Sequence, residues 1–277
     1  MLGALIGDVV GSRFEFKNFK SRDFLMFAPN CKPTDDSLMT LAIAKALVMY
    51  KGDESKLAAL TARYMHEIAK KHPNVGWGGR FYKWVMELDP TPPNSLGNGA
   101  GMRISPVGWV GKSEEETKRL CRIVTEITHS HPEGLLGAES LAVAIYMART
   151  GRSKAEIYDR IVSEYYPSVA DFTLDGIRPT YEIDDKGEWV TCRGSIPQAF
   201  RAFFEADSFE DTIRNAISIG GDADTIAAMA GSVAEAYYGV PYEMEDKLVE
   251  YLQPDLLEIY YAFDTVKARR VARPSAE

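Results

Sequence analysis

Two short acidic segments carry the side chains in this chain that are best suited to chemistry. One is Gly220-Gly221-Asp222-Ala223-Asp224-Thr225 and the other is Thr34-Asp35-Asp36. Each precedes an apolar run of helical length, residues 226–238 in the first case and 38–49 in the second. Each segment therefore places two carboxylates and a threonine hydroxyl at the predicted start of a helix.

These residues admit two interpretations. Asp and Thr are common N-caps, so each segment could simply satisfy the free N–H groups of its own helix. If the two segments meet in space, however, four carboxylates would repel one another unless a cation lies among them. Oxygen-only ligands suit Mg²⁺ or Mn²⁺, and a group this acidic could hold two ions. Spacing alone does not decide between two independent caps and one shared metal site.

Five motifs together resemble the ADP-ribosylglycohydrolases, the relatives of dinitrogenase-reductase-activating glycohydrolase and the ADP-ribosyl-acceptor hydrolases. Any one of them is weak, but they follow the family's order from residue 7 to residue 225, and five in order are a strong signal. The motifs are Gly7-Asp8-Val9-Val10-Gly11-Ser12, Thr34-Asp35-Asp36, Gly97-Asn98-Gly99-Ala100-Gly101-Met102-Arg103, Thr128-His129-Ser130-His131-Pro132 and Gly220-Gly221-Asp222-Ala223-Asp224-Thr225.

The resemblance implies a binuclear metal-dependent hydrolase that cleaves the glycosidic bond between ADP-ribose and a modified acceptor, such as an arginine or serine side chain. The transition state should resemble an oxocarbenium ion, as in other glycoside hydrolyses. The implied ligands of the two divalent cations, Mg²⁺ or Mn²⁺, are Thr34, Asp35, Asp36, Asp222, Asp224 and Thr225. The implied catalytic carboxylates are Glu15, in an acid–base or gating role, with Asp35, Asp36 and Asp222.

The resemblance also implies a substrate-binding loop. The Gly-rich segment from Gly97 to Met102 could turn its backbone N–H groups toward an anion, although it matches neither the P-loop nor the dinucleotide fingerprint. In the resembled family this loop surrounds the diphosphate of ADP-ribose, and Ser or Ala is usual where Gly101 stands. The implied substrate-binding residues are Gly97, Asn98, Gly99, Ala100, Gly101, Met102 and His129.

Several alternatives stay open beside the glycohydrolase. An enzyme with the same site could act on small ADP-ribose conjugates or on ADP-ribosylated nucleic acid. A non-catalytic ADP-ribose-binding or structural protein on the same fold would have a broken acidic cluster, whereas both clusters are intact here. A metal-dependent phosphohydrolase would normally bring more histidines than the four in this chain. Asp8, outside the predicted site, could be a cap or a packing polar group.

The elements that must position these residues are predicted to be helices. Gly3, Gly7 and Gly11 are four residues apart, which predicts one crowded face on a central first helix. Helical patterns with short loops, the last broken near Pro254, then predict an all-α fold, a compact multi-helix bundle in a single domain over 1–277. The least helical part, 166–193, is predicted to be a small irregular or hairpin excursion that could border the substrate site.

Composition restricts the partners and the compartment. The net charge of −8 argues against a general nucleic-acid-binding surface, although a local basic patch could exist. No uncharged run approaches the ~18–20 residues that span a bilayer, and Asp8 interrupts the apolar start, so we expect neither a membrane segment nor a signal peptide. Three cysteines without metal spacing predict reduced thiols in the cytoplasm. We expect a monomer.

Overall fold

The computed structural model describes residues 1–86 and 93–271. Those residues form helices and loops without a β-sheet, and isolated bridges join Asn94 to His129 and Gly97 to Thr191. The predicted all-α fold is confirmed. The α-helices are α1 (Leu2–Gly11), α2 (Asp35–Met49), α3 (Glu54–Lys71), α4 (Gly79–Met86), α5 (Gly99–Met102), α6 (Ser105–Val110), α7 (Glu114–Thr125), α8 (Pro132–Arg149), α9 (Lys154–Glu164), α10 (Leu174–Ile177), α11 (Cys192–Phe204), α12 (Phe209–Ile217), α13 (Ala223–Tyr238), α14 (Tyr242–Val249) and α15 (Pro254–Val271).

The glycine face of α1 packs directly on the backbone of α13. A Cβ atom added to Gly3 would lie 2.1 Å from the carbonyl oxygen of Gly231, and one on Gly7 would lie 2.2 Å from that of Ala227. At Gly11 the added atom would lie 2.4 Å from the Cα of Asp224. The predicted crowded face is therefore confirmed, and the antiparallel pairing brings the end of α1 to the start of α13.

Helices α2, α8 and α13 are buried on nearly all sides, whereas α3 is amphipathic. Its buried residues recur at intervals of three or four, as at Leu57, Thr61, Tyr64 and Ile68, and so lie on one face. A contiguous core of buried apolar side chains runs through the described residues. The core is compatible with one domain over 1–277, which stays a prediction.

The excursion over 166–193 is irregular and contains no hairpin among its described residues. It consists of the 3₁₀-helix Pro167–Asp171, α10 and the 3₁₀-helix Glu188–Val190. Side chains satisfy its turn in place of a partner strand, because the Asp184 carboxylate accepts hydrogen bonds from the backbone N–H groups of Lys186 and Gly187, both at 2.9 Å. The hairpin alternative is therefore wrong.

The predicted break near Pro254 is confirmed, since α14 ends at Val249 and α15 begins at Pro254. Proline suits the first turn of a helix, where its missing N–H would have no partner in any case.

Among the described residues, no helix combines the length and the apolar character that crossing a membrane requires.

Candidate active site

The two acidic segments meet in space. The hydroxyl of Thr225, in the first turn of α13, donates to Asp36 Oδ2 in the first turn of α2 at 3.2 Å. The N-termini of two helices that are distant in sequence thus face one another, where their partial positive charge favours carboxylates. This arrangement is the one that the metal-site interpretation requires.

Asp8, which was not part of the predicted site, lies beside Asp36 and Asp224 and binds the start of α2. Its carboxylate accepts hydrogen bonds from the backbone N–H groups of Thr34 at 2.9 Å and Ser37 at 3.0 Å. The Thr34 hydroxyl also donates to it, at 2.6 Å. Asp8 is therefore a cap, the first of the two roles left open for it, but it caps α2 rather than its own helix.

The carboxylate oxygens are close enough to share cations. One oxygen each of Asp8, Asp36 and Asp224 lie within 4.8 Å of one another, and so do those of Glu15, Asp222 and Asp224. No salt bridge to Lys or Arg compensates these groups among the described residues. Burial, followed by repulsion from neighbouring carboxylates, raises the pKa values of Asp36 and Asp224 well above the ordinary range.

Two details favour a metal site over independent caps. Asp222 occupies the N-cap position of α13, yet its side chain makes no capping hydrogen bond. The Oδ1 atom of Asp36 is buried without a hydrogen-bond partner among the described residues. A buried oxygen of this kind is costly unless something binds it. The all-oxygen donor set therefore fits divalent cations such as Mg²⁺ or Mn²⁺.

The turn before α13 depends on its two glycines. Gly220 has φ of +83° and Gly221 has φ of +67°, both in the left-handed region that side chains disfavour. A Cβ atom on Gly221 would also lie 2.4 Å from the ring of Tyr181. The pair lets the chain leave α12 and reverse into α13 with Asp222 facing the other carboxylates.

A cavity of about 510 Å³ opens above the acidic cluster. Thr34 and Asp224 are buried and lie outside its lining, while Lys186, Gly187, Val190 and Thr191 from the excursion border it, as predicted. The other predicted site residues that line the cavity are Glu15, Asp35, Asp36, Gly97, Asn98, Gly99, Met102, His129, Asp222 and Thr225.

The Gly-rich segment connects the cavity wall to the carboxylates. The Asn98 side chain donates to Asp222 Oδ2 at 2.6 Å. The predicted turn continues as the one-turn helix α5, and this places Ala100 and Gly101 away from the cavity lining. A Cβ atom on Gly101 would meet the Leu141 side chain at 2.8 Å. Gly101 therefore packs against the core. It does not face the cavity, so a glycine in place of the usual Ser or Ala does not change the cavity lining.

His129 lines the cavity beside the Gly-rich segment. Its Nδ1 atom lies 3.0 Å from Arg103 Nη2 and 2.8 Å from Thr128 Oγ1. Burial, and then the charge of Arg103, lower the pKa of His129 well below its ordinary value. The imidazole is therefore neutral and can donate one hydrogen bond into the cavity.

Glu15 lies at the edge of the cluster and is half-buried. Burial, followed by the charges of Asp222 and Asp8, raises its pKa to about 7. A carboxyl group with this pKa exchanges protons readily at neutral pH. Phe16, the next residue, is exposed, lines the cavity and contacts the Trp189 ring edge-on at a centroid distance of 5.7 Å.

Several lining residues were not predicted. Arg80 and Phe81 border the cavity from α4. Arg103 also lines it, and a fully buried arginine directly after a Gly-rich segment has no signal at the sequence level. Asp8, which lies outside the cavity lining, did have a signal in the sequence, because a lone carboxylate in an apolar helix needs a buried partner.

Comparison with known proteins agrees with this geometry. The family model described as ADP-ribosylglycohydrolase matches residues 1–272. The chain is 25% identical to the human (Homo sapiens) ADP-ribosylhydrolase ARH3, with 93% of this chain and 90% of the relative covered. It is 26% identical to the ADP-ribosylarginine hydrolase Tri1 of Pseudomonas putida (strain GB-1), with 87% and 70% covered.

Two further matches cover most of their own chains. The ADP-ribosyl-[dinitrogen reductase] glycohydrolase of Rhodospirillum rubrum is 26% identical, with 86% of this chain and 84% of that one covered. A solved structure described as "ADP-ribosylglycohydrolase-related protein complex" superposes with a TM-score of 0.63 at 23% identity, over 98% of this chain and 95% of that one, which supports the same fold. The chain is therefore a hydrolase that belongs to the ADP-ribosylglycohydrolase family.

Proposed function

We propose that this protein hydrolyses the glycosidic bond between ADP-ribose and a modified acceptor, and so reverses ADP-ribosylation. The observation that carries the proposal is the convergence of Asp36, Asp222 and Asp224 beside one cavity, without a cationic partner among the described residues. The names of similar proteins support it, since ARH3 is called an ADP-ribosylhydrolase and Tri1 an ADP-ribosylarginine hydrolase.

The acidic cluster is the proposed site of two divalent cations, Mg²⁺ or Mn²⁺. Such ions, when bound, polarise substrate oxygens and lower the pKa of water. The residues proposed to hold them are Thr34, Asp35, Asp36, Asp222, Asp224 and Thr225. Asp8 and Asn98 would orient this set, because Asp8 fixes the start of α2 and the Asn98 amide fixes one oxygen of Asp222.

The remaining steps belong to side chains and backbone on the cavity wall. We propose that the loop at Gly97 and Gly99 binds the diphosphate and that His129 donates a hydrogen bond to it. Glu15 is proposed to take up a proton from the attacking water or to return one to the leaving group. Its position at the cluster edge, where it lines the cavity, suits either direction of transfer.

The acceptor is proposed to be a protein side chain, with arginine and serine as the two linkages to test. We also propose that the protein is a monomer and that it is cytoplasmic; the second proposal is supported by three cysteines that are free and buried. The deciding experiment measures free ADP-ribose released from arginine-modified and serine-modified peptides by chromatography, with Mg²⁺, Mn²⁺ or a chelator present.

Metal-dependent release from one peptide would establish both the reaction and the linkage. Tight ADP-ribose binding without release from either peptide would reject arginine and serine as the acceptors and favour small conjugates, ADP-ribosylated nucleic acid or a binding role. Neither release nor binding would contradict the proposal altogether. The matched controls are Asp222→Asn in the cluster and Glu115→Gln on the surface, where the Glu115 side chain is 87% exposed.

A further inference from the structure

We infer that Arg103 is a positioning residue that fixes His129 in one tautomer, so that the imidazole presents a neutral Nε2–H donor to the substrate in the cavity. The inference deepens the proposed function and rests on it for the identity of the substrate. The tautomer itself follows from contacts within the protein alone, and it can be tested without substrate.

Arg103 reaches the cavity lining, but its side-chain hydrogen bonds go to Thr128 and His129. It follows α5 immediately, and only 1% of its surface is exposed. Its Nη2 atom lies 3.0 Å from His129 Nδ1 and also donates to the Thr128 hydroxyl. The Thr128 oxygen is in turn 2.8 Å from the same Nδ1 atom. Two polar atoms, Arg103 Nη2 and Thr128 Oγ1, therefore converge on one ring nitrogen.

The chemistry of these groups determines where the imidazole proton lies. A guanidinium has five N–H donors and no acceptor, so a protonated Nδ1 would oppose an N–H of Arg103 head-on. The Thr128 hydroxyl accepts from Arg103 and so directs its own hydrogen toward Nδ1. Nδ1 must therefore be the acceptor, whichever of the two groups donates to it. The single proton of the neutral ring is then on Nε2.

The other edge of the ring faces the proposed diphosphate loop. A Cβ atom on Gly99 would lie 3.3 Å from His129 Nε2, and one on Gly97 would lie 3.9 Å away. Nε2 has no hydrogen-bond partner within residues 1–86 and 93–271, and His129 lines the cavity. An anionic oxygen held by this loop is the acceptor that such a donor would meet.

The first experiment reads the tautomer directly in the wild-type protein. Protein labelled with ¹⁵N on histidine is studied by long-range ¹H–¹⁵N correlation spectroscopy at neutral pH, and His129→Asn identifies the signal among the four histidines. We expect a pyridine-type shift at Nδ1 and a pyrrole-type shift at Nε2. The reverse pattern, or a doubly protonated ring, would overturn the inference.

The second experiment asks whether Arg103 acts through His129. ADP-ribose dissociation constants are measured by calorimetry, with Mg²⁺ present, for Arg103→Gln, His129→Ala and the double variant. We expect each single change to weaken binding about tenfold, the scale of one hydrogen bond to a charged group. In the His129→Ala background, Arg103→Gln should then change the dissociation constant less than twofold. An equal loss in both backgrounds would show that Arg103 acts on substrate or fold independently.

A control separates this role from the general cost of removing a guanidinium that is largely shielded from solvent, here one that is half-buried and also paired with Glu205. Arg201 lies in α11, outside the cavity lining, and its Nε donates to the Phe172 carbonyl at 2.6 Å. Arg201→Gln should leave both the His129 spectrum and ADP-ribose binding unchanged. If Arg103→Gln does not fold, Arg103→Lys keeps a charged donor near Nδ1 and should retain the Nε2–H tautomer. A mixture of tautomers in the wild-type protein would reject the inference, whatever the two variants show.

The failure of this inference differs from the failure of the proposed function. A protonated Nδ1 in an enzyme that releases ADP-ribose would contradict only the positioning role. The expected tautomer in a protein that neither binds nor hydrolyses ADP-ribose conjugates would contradict the proposed function, and with it the role of Arg103 toward substrate.

Discussion

Two buried acidic sites lie at opposite ends of the α1–α13 helix pair, and they are built in opposite ways. Near the C-terminus of α13, Glu235 accepts hydrogen bonds from the Met1 amino group at 2.5 Å and from Lys267 Nζ at 2.6 Å. At the other end, Asp8 and Asp224 lie among further carboxylates and have no cationic partner among the described residues. One site is neutralised by the chain itself and the other is not.

The pKa values record the difference. Burial acts to raise the pKa of Glu235, but the charge of Lys267 and the hydrogen bonds from Lys267 and the Met1 amino group together outweigh it and hold the value at about 2. Burial also lowers the pKa of the Met1 amine to about 5, so Lys267 supplies the counter-charge at neutral pH. In the acidic cluster, burial and neighbouring carboxylates act in the same direction, and the pKa of Asp224 is well above its ordinary range. Glu235 is paired with a cation that the chain itself supplies, whereas the uncompensated carboxylates of the cluster fit cations that come from solution.

The largest expected effect is on catalysis. Asp222→Asn should lower turnover on the order of 1,000-fold, because ligands of catalytic ions supply several kcal/mol of transition-state stabilisation. The fold should persist, since the Asp222 side chain makes no capping hydrogen bond to α13 and Asn keeps its size. Release of ADP-ribose at saturating Mg²⁺, with far-UV circular dichroism as the check on folding, measures this. Full turnover would remove Asp222 from the metal site, and Glu115→Gln should match the wild type.

The next effect is on stability at the compensated site. Glu235→Gln should lower the free energy of unfolding by about 3 kcal/mol, because it leaves the half-buried Lys267 ammonium and the buried Met1 amino group without their carboxylate partner. Turnover per folded molecule should remain that of the wild type. Urea denaturation measures the change, and a loss below about 0.5 kcal/mol, the usual range for a surface substitution, would show that Glu235 is not a structural ion pair.

Metal removal should affect only the uncompensated site. At an Mg²⁺ concentration of 100 times Kd, the wild type should gain about 2.7 kcal/mol in the free energy of unfolding over the chelated protein. Asp224→Asn should lose most of this gain, whereas Glu235→Gln should keep it. Thermal or urea unfolding with and without chelator tests both. An equal gain in all three proteins would place the ion elsewhere.

The smallest effect concerns the pH dependence of the metal-free protein. A raised pKa means that the folded state binds protons more tightly than the unfolded state, so the cluster's contribution is greatest below the ordinary Asp value of 3.8 and declines as pH rises toward the folded value. Removing one charge, as in Asp224→Asn, should therefore stabilise the chelated protein at pH 8 by about 1 kcal/mol. Urea midpoints at pH 5 and pH 8 would reveal this, and destabilisation at pH 8 would show that the hydrogen bonds of the Asp224 carboxylate outweigh its repulsion from the other carboxylates.

Much of the fold could be predicted because its determinants are local. Gly3, Gly7 and Gly11 repeat at the helical period, and Pro254 divides the last helical stretch at the residue expected. The hairpin prediction was wrong because alternation over a short segment does not supply a partner strand. Asp184 instead satisfies the turn within its own segment.

The site was only partly predictable, because much of it depends on contacts between residues that are distant in sequence. The motifs identify the donor types, and the structure places all the predicted carboxylates around one cavity end. The sequence did not predict which residues of the Gly-rich segment face the cavity and which face the core, because this depends on how α5 packs on Leu141. The role of Arg103 was equally invisible, since His129 is its neighbour only after folding.

By itself, the sequence determined the helical class of this protein, the oxygen-donor character of its site and the residues able to cap each helix, because these depend on residue type and on spacing along one element. The tertiary structure alone decided that Asp8 holds the start of α2 and that Asp36 meets Thr225, a pair separated by 189 positions. Long-range packing of α1 on α13 brings these groups together, and no periodicity within a single helix encodes that distance.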